Sequence, residues 1–251
     1  MLLTSLLTKV LYPLNKIRAE RIVSKLANGI HKTDQTIIFF PQRETADFPW
    51  QNFGWKEKED YDFWKERICA ISCLKMVLSA FHLAQSQNIA QLAKIALDLG
   101  GYVINDQKGR FVDKGWYHKS LLQLAKNLGL EAKGFPFASA TQICTEILKN
   151  RLIIASVDAL RLKTDTTRDN KSAKSINHLI VINGFEIKEG KWGGFWVFNP
   201  SSNPPRTEAV FIDQEIFNKA FNKRFMSFRL QSSTSPKIDE TKSPDTDKKQ
   251  D

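Results

Sequence analysis

The chain has 251 residues and a mass of 28.7 kDa, with 42% hydrophobic and 25% charged residues. This is the balance of an ordinary globular protein, and it excludes a fully disordered chain and a multi-span membrane protein. Three cysteines are too few and too odd for a disulfide-stapled secreted scaffold and fit a reducing, cytoplasmic setting, while a net charge of +10 favours acidic partners without choosing among nucleic acid, an anionic membrane surface and an acidic peptide.

The opening MLLTSLLTKVLYPL lacks the charged start and the small-residue cleavage site of a signal peptide. Its apolar run is broken at Lys9, well short of the roughly 20 residues that cross a bilayer. It reads as an N-terminal helical extension. The basic residues Lys9, Lys16, Arg18, Arg21 and Lys25, with Glu20 the only acid, form either a solvated face or a segment that contacts a membrane surface. Residues 40–60 are rich in Pro, Trp and charge and read as an irregular connector, so residues 1–57 form an extension plus connector. Helical spacing then runs from Cys69 to Ala84, from Ile89 to Leu99 before Gly100-Gly101, and from Tyr117 to Leu128 before Gly129. A further helix runs from an N-cap at Ser139 to Lys149. Strand-like runs follow at 152–157, 178–187, 195–199, 209–212 and 225–230, with a short helix over Asp213–Phe221. Helices first and strands later predict an α+β fold, a helical half packed on a largely antiparallel sheet, over residues 58–230. Residues 231–251, almost without large apolar side chains, read as a disordered polar tail.

Three residues stand out chemically. Cys69 opens a helix just after Lys65 and Arg67, and a helix N-terminus with nearby cations lowers a thiol pKa. Such a thiol alkylates fast at neutral pH, ahead of Cys73 and Cys144, which read as core. The alternative for Cys69 is also a buried small hydrophobe. His178 opens the aliphatic strand HLIVING, where a rigid element holds an imidazole at a loop edge as a general base needs, or where it is simply a half-buried histidine. Asn199 ends a strand ahead of Pro200. It can accept an imidazole N–H, or serve only as turn chemistry. The turn region KEGKWG between HLIVINGFE and GFWVFN predicts a hairpin that sets His178 beside Asn199. A Cys-x3-Cys pair with His82 lacks a fourth ligand, so no metal is expected, and no phosphate-cradling motif calls for a cofactor. His31 has nothing visible to act with. The loop 161–175, with five cations and two acids, is a solvated loop or a flap that recruits an acidic peptide.

A Cys on an early helix followed by His and Asn on later strands is the order of papain-like cysteine peptidases. The chain resembles the branch that processes bacteriocins with double-glycine leaders. CAISCLKMVLSAF carries Met76-Val77-Leu78 at the offset that the nucleophile motif expects. NHLIVINGFE resembles the His signature, Asn199-Pro200 the pair that follows one strand on, and GWYHKSLLQLAKNLGLEA the second helix. The resemblance spans about residues 58–230. It implies a Cys69 nucleophile, a His178 base oriented by Asn199, and an acyl-enzyme route to hydrolysis of a peptide or protein, without cofactor. Trp116 and His118, at a helix start, line the substrate cleft near Cys69 or serve only as helix N-terminal packing. The residue after the nucleophile is Ala70 where the group has Gly, and the third member is Asn where these relatives have Asp. Phe63 stands where the group has the oxyanion Gln, leaving Trp64 or Gln51 as candidate donors. Two readings stay open: an active cysteine peptidase, and a degenerate peptidase-like domain that binds peptides without turnover. No nucleic-acid reading motif accompanies the basic charge, so no nucleic acid is expected.

Overall fold

A computed structural model describes residues 2–105, 113, 115–162, 176–202 and 206–232. Most of the basic loop 161–175 and of the polar tail lie outside the described residues. The elements in chain order are α1 (Leu2–Val23), β1 (Gly29–Lys32), a 3-10 turn (Trp50–Phe53), α2 (Lys58–Trp64), α3 (Cys69–Ala80), α4 (Ile89–Asp98), α5 (His118–Asn127), β2 (Leu130–Phe135), α6 (Ala140–Ile147), β3 (Leu152–Asp158), β4 (Asn177–Lys188), β5 (Lys191–Phe198), β6 (Val210–Asp213), α7 (Gln214–Ala220) and β7 (Phe221–Leu230). The fold is α+β, with every strand pairing antiparallel, in the order β2-β7-β3-β4-β5-β6, and with β1 added along β4.

Both faces of the sheet are covered, which is why its central strands read as unbroken apolar runs rather than alternating ones. On one face Ile154, Leu179, Val181 and Phe228 pack with α3, α4, α5 and the aromatic connector. On the other, Ile153, Ala155, Ile180, Ile182 and Phe185 pack with Val23 of α1, with α6 and with Phe217 of α7. The helical half therefore lies where the sequence places it, and a second helical layer backs the sheet.

Local chemistry sets the helix ends. Asn88 and Ser139 each form a reciprocal capping box with the Gln three residues on, starting α4 and α6. The apolar spacing that predicts a helix as far as Ala84 stops early, at Ala80, because His82 and Ala84 take left-handed φ values of 58° and 52°. The buried Lys75 ammonium closes this turn by donating to the carbonyls of Ala84 (2.8 Å) and Gln87 (2.7 Å). The β4–β5 hairpin turns at Glu189-Gly190, both with positive φ, the geometry of a tight hairpin turn. The pairing reaches from Lys188↔Lys191 back to Val181↔Phe198, so residues 177–180 of β4 have no β5 partner.

The segment ahead of α2 is built into the fold. Ala19 and Val23 of α1 are buried, β1 pairs with β4, and Phe53 is fully buried. No helix among the described residues is long and apolar enough to cross a membrane.

A buried ionic cluster ties β2, α6, β3 and β7. The Arg151 guanidinium, 1% exposed, donates to Ser227 Oγ (3.0 Å), Glu131 Oε1 (3.1 Å) and the Glu131 carbonyl (3.1 Å), and sits 3.3 Å from Glu146 Oε2. Ser227 Oγ in turn donates to Glu146 Oε2. Removing one member of such a cluster strands the rest in a low-dielectric interior. Arg151→Ala is expected to lower unfolding stability by about 3–5 kcal/mol in urea denaturation. A loss below about 1 kcal/mol would show that the cluster contributes little.

Candidate active site

The notch at the end of the sheet follows from one proline. Pro200 cannot donate to a ladder, β5 ends at Phe198, and the first residues of β4 are left open on that side. The start of α3 fills the opening. Cys73 Sγ donates to the Leu179 carbonyl at 3.2 Å, and the Cys69 sulfur takes a backbone hydrogen bond from the same Leu179. Cys69 is thereby held one residue from His178.

His178 and Asn199 meet directly, with His178 Nε2 2.8 Å from Asn199 Oδ1. The same oxygen accepts the Ser201 backbone N–H at 2.9 Å. A backbone N–H only donates, so the amide atom it faces is oxygen. The His178 nitrogen facing that oxygen must therefore carry a proton. In the neutral ring this leaves Nδ1 with a free lone pair, the tautomer of a base.

Electrostatics keep both groups neutral. His178 is 6% exposed, and burial, only partly offset by the Asn199 hydrogen bond, pulls its pKa down to about 4, with Arg43 adding a smaller push in the same direction. Burial pushes the Cys69 thiol up to about 11, although part of the residue still meets solvent. Hydrogen bonds from the backbones of Leu179, Ala70 and Cys69 itself oppose the rise without cancelling it. The fast-alkylating thiolate expected from the sequence is thus corrected. The cations that prompted it are engaged elsewhere, Lys65 with Asp62 at 2.8 Å and Arg67 with Asp113 at 3.0 Å. Arg43, paired with Glu66, is the cation whose charge reaches Cys69.

The other expected residues spread out. Trp64 is buried in an aromatic wall, 5.9 Å from Trp55 and Trp116 and 5.5 Å from Tyr102 between ring centres. Trp116 belongs to the same wall, and its indole N–H donates to the Arg67 carbonyl at 2.7 Å, just ahead of α3. Phe63, at the position where the resemblance expects Gln, faces outward at 36% exposure under the Arg67 guanidinium. Gln51 is exposed on the 3-10 turn. His118 feels the charge of Arg224 on β7 and lies half-buried at the start of α5. His31 stacks on Phe185 and bonds the Ala27 carbonyl. Among the described residues no group of three or more His, Cys, Asp or Glu side chains is placed to hold a metal.

One polar residue at the notch was not singled out from the sequence. Gln42, 3% exposed, bridges the two walls, and only burial reveals it, since a lone Gln in a Pro- and Trp-rich connector has no local signature. Arg43 beside it was missed for the same reason.

No family model and no curated protein sequence matches the chain. Solved structures do resemble it in chain path. One is described as a C39-like peptidase from Bacillus anthracis, with 17% identity over 66% of this chain and 90% of that one and a TM-score of 0.46. Another is the peptidase domain of Streptococcus ComA, a bifunctional ABC transporter of a quorum-sensing pathway, with 14% identity, 66% and 93% coverage and a TM-score of 0.42. A third is a double-glycine-motif protease from a transporter, in complex with its leader peptide, with 20% identity, 65% and 84% coverage and a TM-score of 0.37.

The charge states are directly testable. Alkylation of Cys69 by iodoacetamide should be slow at neutral pH and should climb toward a midpoint near pH 11, because only the thiolate attacks. Asn199→Asp sets a carboxylate against the His178 ring, which favours the charged imidazolium and should raise the ring's titration midpoint above about 4 by NMR. A midpoint that stays or falls would mean that the side chain at 199 does not face the ring.

Proposed function

We propose that the chain is a cysteine peptidase acting on a peptide or protein, with Cys69 as nucleophile, His178 as general base and Asn199 as its orienter. The observation that carries the reading is the doubly accepting Asn199 oxygen, which leaves His178 Nδ1 unprotonated one residue along β4 from Leu179, the residue that bonds Cys69 and Cys73. Both reacting groups rest neutral, so the thiol proton moves to Nδ1 as sulfur attacks the substrate carbonyl. The tetrahedral oxyanion is met by N–H groups at the very start of α3, ahead of the Ser72 N–H that bonds the Ile68 carbonyl. Collapse breaks the C–N bond, and the imidazolium gives its proton to the leaving amine. Water then attacks the thioester with the ring as base, releasing the acid and returning a proton to sulfur. The ring must be unprotonated, so activity should fall only as the pH drops through about 4 and hold steady up to neutral.

The proposed unit spans 58–230, wrapped by 1–57. Three free thiols fit a reducing, cytoplasmic compartment. An acidic stretch in the substrate suits the basic chain. A membrane surface suits α1, where Leu14 and Ile17, 63% and 61% exposed, lie among exposed Arg18, Arg21 and Lys25.

A second reading, a domain that binds peptide without cleaving it, draws on two observations: the outward Phe63, which offers no donor to an oxyanion, and the raised thiol. A single experiment separates the readings. The protein is incubated with a library of peptides, and cleavage is followed by mass spectrometry for the wild type and Cys69→Ala. Products that vanish with Cys69→Ala support the peptidase. Retention of intact peptides by both forms, without products, supports the binder.

A further inference from the structure

We infer that Gln42 is the positioning residue of this site, clamping the turn that orients His178 to the α2–α3 turn that leads into Cys69; the inference rests on the triad reading above. Every bond of the clamp is short. The Gln42 backbone N–H donates to the Pro200 carbonyl at 2.8 Å. Its side-chain Oε1 accepts the Ser201 hydroxyl at 2.5 Å, and its Nε2 donates to the Lys65 carbonyl at 2.9 Å. Its neighbour Pro41 offers a carbonyl to Ser72 Oγ, in the first turn of α3, at 3.1 Å. Ser201 is also the residue whose N–H fixes the Asn199 oxygen. The path from one wall to the other is thus Lys65, Gln42, Ser201, Asn199, His178, with no exposed link at its centre.

The chemistry of an amide suits this place. The Lys65 carbonyl needs a donor and the Ser201 hydroxyl, once its proton is directed outward, needs an acceptor. A primary amide supplies both from one planar group without charge. A carboxylate would set an anion against the Lys65 carbonyl, and an apolar side chain would leave two polar groups unpaired in a buried cleft. Asn199 sits on a turn just past the end of β5, where no ladder fixes it. Its aim depends on what holds residues 200–202, and besides the local Ser202 N–H bond to the Asn199 carbonyl the 41–42 strap holds them from across the notch. Loosening the strap should let the Asn199 oxygen leave the ring, freeing His178 to adopt either tautomer.

The test uses the full chain labelled with 15N-histidine, the His178 signal being assigned by its loss in His178→Gln. In the wild type the ring should hold its proton on Nε2. Gln42→Met keeps the volume of the side chain and the backbone bond to Pro200 but loses both side-chain bonds. It is expected to give mixed tautomers, a lowered titration midpoint because the Asn199 hydrogen bond that offsets burial is lost, and a fall in kcat of roughly 10- to 100-fold with KM little changed. Ser201→Ala, a milder change that keeps the backbone N–H, should shift the ring in the same direction by less, and carries the test should Gln42→Met not fold. Gln123→Ala, exposed on α5, should do neither. A ring unchanged in folded Gln42→Met, or in Ser201→Ala where that variant carries the test, overturns the inference. The ring readout needs no turnover. A ring that responds in a protein without hydrolytic activity keeps the clamp and removes the peptidase, and hydrolysis with an unresponsive ring does the reverse.

Discussion

The site hangs on one oxygen atom that accepts two hydrogen bonds. Asn199 Oδ1 takes the Ser201 backbone N–H and the His178 ring N–H, and the first dictates the chemistry of the second. A side-chain amide is ambiguous by itself, since its two ends have nearly the same shape. A main-chain donor removes the ambiguity. The constraint is local, spanning three residues of a turn, yet it reaches the imidazole because Pro200 ends β5 just where the start of β4 is left open on its β5 side. The same missing ladder admits the first turn of α3, so the break in the sheet that frees Asn199 is also what brings a thiol to Leu179.

Burial then governs the charge states. A helix N-terminus pulls a thiol toward the thiolate, and the sequence offers two lysine and arginine neighbours to help it. In the folded chain Lys65 and Arg67 are neutralised by Asp62 and Asp113, and the surrounding apolar layer raises the thiol and depresses the imidazole together. Desolvation acts in opposite directions on an acid and a base, but to one end: it disfavours the ion pair. In the proposed reaction the proton would then move along with bond formation to sulfur rather than beforehand. A thiol held this way reacts slowly with small alkylating agents.

The legible part of the sequence was the part with a period. α3, α4, α5 and α6 carry apolar stripes and, at Asn88 and Ser139, caps whose side chains make the bonds that their types promise. β3, β4 and β5 are dense in β-branched and aromatic residues. What stayed hidden is held by tertiary contact. β2, LEAKGF, has a weak intrinsic preference for a strand and forms because its whole length pairs with β7. β1 is four residues long and takes its register from the far half of β4. The helical pattern past Ala80 misled because apolar spacing continues through a turn that Lys75, an unexpected buried amine, closes from inside. Cys69, His178 and Asn199 could be singled out because their flanking motifs are ordered along the chain, and the last two do pair. Gln42 and Arg43 were not, for they lie in a stretch whose only message is irregularity.

Phe63 and Gln42 together explain how an irregular connector comes to matter. On α2 the rotation of the helix sends Tyr61 and Trp64 into the core, and the two positions between them must then face water, the second of which is Phe63, lying against Arg67. A polar side chain at 63 would find no cleft to enter. The inward wall of α2 is aromatic, and any amide required at the notch has to arrive from another segment. The connector meets that need by crossing between the α2–α3 turn and the Asn199 turn, with its rings packed on the core and Gln42 turned inward between two main-chain walls. Such a strap needs length and bulky anchors more than periodicity, and Pro, Phe and Trp provide both: a restricted backbone and large apolar surfaces that hold it in place. The composition that makes residues 40–60 unreadable as helix or strand is the composition a clasp of this kind demands.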